Sequence, residues 1–308
     1  MGNQLSQIRL GKDNPAPRNR TLFLLEEDYK KYNNFSVLPK KPEAIFVDKF
    51  RNKIILGDCI KEMARFPSES IDLIFADPPY YKVDKDFGNG TLKISNKKEY
   101  EEWSEKWIKE SARILKKTGS LYICCGWDSS CLIQKILEKY LIVKSRITWK
   151  REKGRGALKN WKENMEDIWF AVKTKNYLFN INDVKIKKEI IAPYRYGGKG
   201  GQPKGWVEVN GEKYRYTHPS NIWTDLVVPF WSMPENTPHP TQKPERLLER
   251  VILASSNKSD LVLDPFLGSG TTAVVAKKLG RDYIGIEINE DYVRLALKRL
   301  DKVEKLLF

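Results

Sequence analysis

The chain has 308 residues, 41% of them hydrophobic and 11% aromatic, which supplies a sizeable core and excludes a globally disordered protein. Its formal net charge of +15 points to a polyanionic partner, and the charge is concentrated. Between Lys139 and Lys162 nine Lys or Arg stand against one acid, Glu152, with Trp149 and Trp161 interleaved, a pattern that favours nucleic acid over solubility alone. Cys59, Cys124, Cys125 and Cys131 form no C-x-x-C pair, and with only His218 and His239 a zinc site is not expected. No signal peptide or membrane-length apolar run is present, so the expected setting is reduced and cytoplasmic, in a prokaryotic cell, with no membrane partner.

Residues 1–44 read as a polar N-terminal arm containing one short helix, "LFLLEEDYKKY". Regular alternation starts at Lys53. "KIILGD" is a strand, "CIKEMARFP" a short helix and "IDLIFADPP" a strand that must stop, because two prolines cannot donate to a sheet ladder. "KKEYEEWSEKWIKESARILKKTG" carries Tyr100, Trp103, Trp107, Ala112 and Leu115 at helical spacing, and the expected stop is Gly119. "SLYICCG", "LIVKSRITWK" and "MEDIWFAVK" follow as strands, with "SSCLIQKILEKY" as a helix after the first. Residues 174–237 break the rhythm and read as an inserted, mostly β or irregular module, in which "VEVNGEKYRY" is a hairpin turning at Asn210-Gly211. The alternation resumes with helix "PERLLERVILASS", strand "LVLDPF", helix "TTAVVAKKLG", strand "DYIGIEI" and a helix capped by Asn289. The expected fold is therefore an α/β open sheet flanked by helices, discontinuous over 45–173 and 238–308.

Three features carry chemistry. In "DPFLGSGTT" the glycines Gly268 and Gly270 let backbone approach a ligand, and a helix begins at Thr271. About 20 residues on, Glu287 ends a strand where an acid can accept both hydroxyls of a ribose, so a nucleoside-containing cofactor is expected. The third is Asp77-Pro78-Pro79-Tyr80. A carboxylate and a rigid carbonyl at a strand end suit the two N–H donors of an amino group, and Tyr80 offers a flat face to a base.

These motifs in this order resemble the β group of S-adenosylmethionine-dependent DNA amino-methyltransferases, the N6-adenine and N4-cytosine family of restriction-modification systems. "GDCIKEM", "HPTQKPERLLERVI" and "DYIGIEI" match as well, over residues 53–173 and 238–300. The resemblance implies a Rossmann-like mixed sheet in permuted motif order, with residues 174–237 as the target-recognition insertion. It implies a catalytic role for Asp77, Pro78, Pro79 and Tyr80. It assigns S-adenosyl-L-methionine to Asp58, Cys59, Ile60, Thr241, Lys243, Asp264, Phe266, Gly268, Gly270, Thr271 and Glu287. His239 is given a structural role. Lys150, Arg151, Lys153, Arg155 and Lys159 are expected on the phosphates of double-stranded DNA. Trp149 is open between a place near a flipped-out base and strand core. The resemblance also admits a homodimer and a cognate restriction endonuclease sharing the recognition site.

Asp77 at the first position of the tetrapeptide favours the N6 amino group of adenine, with N4 of cytosine as the alternative. Methylation of a cytosine ring carbon needs a Pro-Cys nucleophile, which the chain lacks. A glutamine-modifying methyltransferase is disfavoured by Asp77 in place of Asn and by the late glycine loop. A nicotinamide-dependent oxidoreductase leaves D-P-P-Y unexplained, and a non-catalytic DNA-binding protein leaves the glycine loop unexplained.

Overall fold

The computed structural model describes residues 18–33, 35–36, 46–81, 96–151, 159–189, 206–209 and 212–307. The first half contains helix α1 (Glu26–Lys31), strand β1 (Lys53–Leu56), α2 (Cys59–Met63), β2 (Ile71–Ala76), α3 (Lys97–Ile114), β3 (Leu115–Cys125), α4 (Trp127–Tyr140), β4 (Ile142–Lys150) and β5 (Met165–Val172). The second half contains β6 (Ile186–Glu189), β7 (Trp206–Val209), β8 (Glu212–Thr217), β9 (Ile222–Trp223), α5 (Glu245–Ser255), β10 (Leu261–Asp264), α6 (Thr271–Lys278), β11 (Asp282–Glu287) and α7 (Glu290–Leu307). Eight strands form one sheet in the order β1-β11-β10-β2-β3-β5-β4-β9. The run from β1 to β3 is parallel, β5 is antiparallel to both its neighbours, and β9 lies parallel to β4.

Both faces of the sheet are covered, which is why its central strands read as continuous apolar runs. Along β2, Ile74 and Ala76 join a core with α2, α3 and α4, whereas Leu73 and Phe75 join the opposite core with α5, α6 and α7. The side-chain period of two thus splits one strand between two helical layers. Asn289 caps α7 as expected, its side-chain oxygen accepting from the backbone N–H of Asp291 at 2.9 Å.

Four local readings are refined. The third helix ends at Ile114, five residues before Gly119, because Leu115 already pairs with Ile71 on β2. The register then jumps to Leu73 opposite Ser120, and Lys116 within the irregular stretch donates to both oxygens of Asp72 at 2.7 and 2.8 Å. The hairpin forms as β7 and β8, paired through Val209 and Glu212, with β6 on the other side of β8, while its Asn210-Gly211 turn lies outside the described residues. Ile222 and Trp223 fall inside the stretch read as an insertion, yet they extend the main sheet. The described part of the arm is docked: Leu22 and Leu24 pack on Tyr292 and Leu295 of α7, and Ser36 bridges to Ile55 at the sheet edge. Among the described residues no helix is long and apolar enough to cross a membrane.

Trp149 belongs to the core. It is 1% exposed, and its indole N–H donates to the Leu226 carbonyl at 2.9 Å, so of the two places left open for it strand core is the one observed. Trp149→Ala should destabilise the protein by about 3–5 kcal/mol, seen as a lower urea midpoint. Trp149→Phe, which keeps most of the volume and loses the hydrogen bond, should cost less.

Candidate active site

Parallel strands deliver their carboxyl ends to one edge of a sheet, and here each of four neighbouring strands delivers an acid. Asp58 follows β1, Asp77 follows β2, Asp264 ends β10 and Glu287 ends β11. Between β10 and β2 the chain's winding reverses: β10 leads through α6 to β11 on one side, and β2 leads through α3 to β3 on the other. A cavity of about 240 Å³ opens at this switch point. Asp58, Asp77, Pro79, Tyr80, Asp264 and Glu287 are among its lining residues.

One half of the cavity is built from backbone. After β10 the chain turns through Gly268 (φ 53°) and Gly270 (φ 84°), both left-handed. A Cβ on Gly268 would stand 2.8 Å from His239 Nε2, and one on Gly270 would stand 2.5 Å from the Ala296 Cβ. The turn is held from below: Gly268 N–H donates to Glu287 Oε2 at 2.7 Å and Asn289 N–H to Oε1 at 2.9 Å. Asp264 accepts from Phe266 N–H at 2.9 Å and from the Thr272 hydroxyl. Burial pushes the Asp264 carboxyl up to about 7, against the Thr272 and Phe266 hydrogen bonds and with the charges of Asp77 and Glu287 adding to the rise. Burial also raises Glu287, against its backbone hydrogen bonds. Asp58 caps α2, accepting from Lys61 N–H at 3.0 Å. The Phe266 ring stands edge-on to Trp107 at 5.2 Å and beside Trp103 at 5.7 Å.

The other half is a buried charge cluster. Lys243 Nζ donates to Asp77 Oδ2 at 2.6 Å and lies 3.4 Å from Glu166 Oε2. The Tyr80 hydroxyl lies 3.0 Å from Asp77 Oδ1 and 3.2 Å from Glu166 Oε2, and the Arg151 guanidinium closes on Glu166 Oε1. The backbone before α5 aims Lys243. Gln242 accepts from Thr237 N–H at 2.9 Å and donates to the Glu235 carbonyl at 2.6 Å, while Glu235 accepts from Glu245 N–H at 2.7 Å. Burial raises Asp77, partly offset by Lys243, and the nearby charge of Glu166 raises it further. Burial acts the same way on Glu166, but Lys243 and Arg151 outweigh it and hold that carboxyl below its ordinary value. Lys243 is raised, since the two carboxylates outweigh its burial.

The DNA methylase family model matches residues 71–298 of this chain. The chain belongs to the DNA methylase family. It is 40% identical over 254 residues to the DNA adenine methyltransferase YhdJ of Escherichia coli (strain K12), spanning 80% of this chain and 82% of that relative. The type II methyltransferase M.HpaI of Haemophilus parainfluenzae is 38% identical over 252 residues, covering 81% and 74%. Among solved structures, the M1.HpyAVI–SAM complex aligns with a TM-score of 0.52 at 29% identity, covering 80% of this chain and 98% of that one. The cytosine-N4-specific PvuII DNA methyltransferase aligns at 0.59 with 20% identity, over 82% and 90%, a likeness of fold.

In this DNA methylase the residues singled out in sequence largely converge. Asp58, Cys59, Thr241, Lys243, Asp264, Phe266, Gly268, Thr271 and Glu287 line the same cavity as Asp77, Pro78, Pro79 and Tyr80. Ile60 and Gly270 stand behind that lining, Gly270 as the start of α6. His239 packs its ring on Tyr292 at 4.5 Å beneath Gly268. Of the five cations expected on DNA, Lys150 and Lys159 are exposed, Arg151 turns inward to Glu166, and Lys153 and Arg155 lie outside the described residues. Trp103, Tyr292 and Glu166 also line the cavity. For Glu166 the available signal was the pair of acids, Glu166 and Asp167, near the start of the strand "MEDIWFAV".

The glycine turn, the acids and the aromatic wall fit a nucleoside carrying a charged amino-acid tail. Gly268 brings backbone without a Cβ to the cavity wall, and Glu287 and Asp58 keep carboxylate lone pairs beyond those in use. Asp264 also sets a pH dependence. Its folded value lies above its unfolded one, so its contribution to stability is complete below about pH 4 and is lost as pH rises through about 7. Asp264→Asn should lose less melting temperature than wild type between about pH 5 and about pH 8, measured by calorimetry.

Proposed function

We propose that this chain transfers the methyl group of S-adenosyl-L-methionine to the N6 amino group of an adenine flipped out of double-stranded DNA. The observation that carries the reading is Asp77-Pro78-Pro79-Tyr80 at the switch point, sharing one cavity with the Gly268 turn and Glu287. The adenine assignment draws on the 40% identity to a relative named as a DNA adenine methyltransferase, and on Asp at position 77.

When bound, the cofactor supplies a methyl group already activated on a sulfonium. Glu287 would accept from the ribose, Asp58 from the adenine amino group of the cofactor, and Phe266 and Thr241 would border the rest. The chain's remaining task is to present the base nitrogen. Asp77 and the Pro78 carbonyl accept its two N–H groups, and these bonds strengthen as positive charge develops on nitrogen. A duplex hides that nitrogen, so the base leaves the stack and meets the face of Tyr80.

Lys150 and Lys159 are exposed cations for phosphates, and the β6-β8-β7 sheet, with Lys187, Arg215 and Tyr216 outward, serves target recognition. A second copy of the chain and a cognate endonuclease belong to the same proposal, the endonuclease in keeping with the type II description of the relative M.HpaI. Incubation with tritiated S-adenosylmethionine and unmethylated DNA should yield labelled N6-methyladenine. Label only in N4-methylcytosine would replace adenine by cytosine. Asp77→Ala should reduce transfer by at least about a thousandfold while calorimetry still detects cofactor binding.

A further inference from the structure

We propose that Lys243 clamps Asp77 as an ionised acceptor aimed into the cavity, with Glu166 holding Lys243 in place from the far side, which places Lys243 on the target-base side of the site. Both are positioning residues that act through Asp77. The consequence for catalysis rests on the amino-methyl-transfer reading above; the clamp itself rests on geometry.

The family resemblance of "HPTQKP" implies a place beside the cofactor for Lys243, yet its side chain is 6% exposed and its ammonium is directed at Asp77 (2.6 Å) and Glu166 (3.4 Å). A carboxylate sealed from water drifts towards its protonated form, and a protonated Asp77 would spend one oxygen as a donor. An amino group with two N–H donors needs acceptors, so a protonated Asp77 is mismatched to it. Lys243 opposes that protonation by pairing with Oδ2. Glu166 in turn holds Lys243 from the far side, and Arg151 keeps Glu166 anionic. The cluster thus balances the carboxylates of Asp77 and Glu166 against Lys243 and Arg151, with the Arg151 side chain 34% exposed at its rim.

Tyr80 completes the device. Its single hydroxyl hydrogen faces two carboxylate oxygens, Asp77 Oδ1 at 3.0 Å and Glu166 Oε2 at 3.2 Å. When a base amino group donates to Oδ1, the hydroxyl turns to Glu166 and loses no hydrogen bond. Glu166 therefore also receives the donor that substrate binding displaces.

The groups facing Asp77 are Lys243 from the segment before α5, Glu166 from β5, Cys124 from β3, Tyr80 from its own loop and Asp264 from β10. Removing Lys243 leaves Asp77 among acids; removing Glu166 takes away an anion. The two substitutions therefore move the Asp77 titration in opposite directions. Carbon-13 NMR of aspartate-labelled protein, with the Asp77 signal assigned by its loss in Asp77→Asn, reads this directly.

Lys243→Met should raise the midpoint by about one pH unit or more, a tenfold change in acid dissociation. Lys243→Arg should hold it closer to wild type, and Glu166→Gln should lower it. The acid limb of the kcat profile should move with the midpoint, while S-adenosylmethionine affinity changes by less than about threefold. An unmoved midpoint in Lys243→Met with cofactor binding weakened by about tenfold or more would overturn the proposal, as would a raised midpoint in Glu166→Gln. If the wild-type protein methylates no DNA, the proposed function fails while the NMR midpoints still decide the clamp.

Discussion

Burying an ammonium between carboxylates is unfavourable unless each charge is paired and each hydrogen-bonding group is satisfied. Lys243 meets that condition because four separate parts of the fold, its own segment among them, converge in one cluster. Asp77 and Tyr80 come from the end of β2, Glu166 from the start of β5, Arg151 from the residue after β4, and Lys243 from the segment locked by Gln242 and Glu235. None of these positions is adjustable alone. The prolines after Asp77 stiffen one side, and the Thr237–Gln242 and Glu235–Glu245 bonds stiffen the other.

That convergence follows from strand direction. Parallel pairing from β1 to β3 sends Asp58, Glu287, Asp264 and Asp77 to the same edge, where the charges of Asp77 and Glu287 add to the burial that raises Asp264. The antiparallel turn of β5 brings its first residues, not its last, to that edge. Cys125 at the end of β3 lies opposite Asp167, and Glu166 is its neighbour. A single reversal in the sheet thereby adds a carboxylate from a strand whose far end is remote from the site.

The same arrangement revises the meaning of the basic segment. Nine cations in 24 residues suggest a surface for phosphate, yet the fold spends several internally or on local pairs. Arg151 closes on Glu166, Lys139 pairs with Glu105 at 2.9 Å, and Arg146 lies 3.8 Å from Asp167. Lys139, Lys144, Arg146, Lys150, Lys159 and Lys162 remain exposed, as does Trp161 at 90%. Among the described residues of the segment the basic face thus keeps these six cations, and Arg151 is the one drawn inward, to Glu166.

Local chemistry determined much of this protein. Apolar runs ended by Asp77-Pro78 and Asp264-Pro265 could only be strands that stop. Gly268 and Gly270 could occupy left-handed turns where other residues could not, and Asn289 could cap a helix from its own side chain. Those features are set by neighbours in the chain, so the cofactor half of the site was legible in motif order. Tertiary structure decided the rest: that Trp149 is core, that Ile222 and Trp223 extend the main sheet, and that Lys243 turns to Asp77 and Glu166. Each depends on which strand lies beside which and in what direction, and charges 166 and 77 residues apart in the chain meet only when that pairing is made.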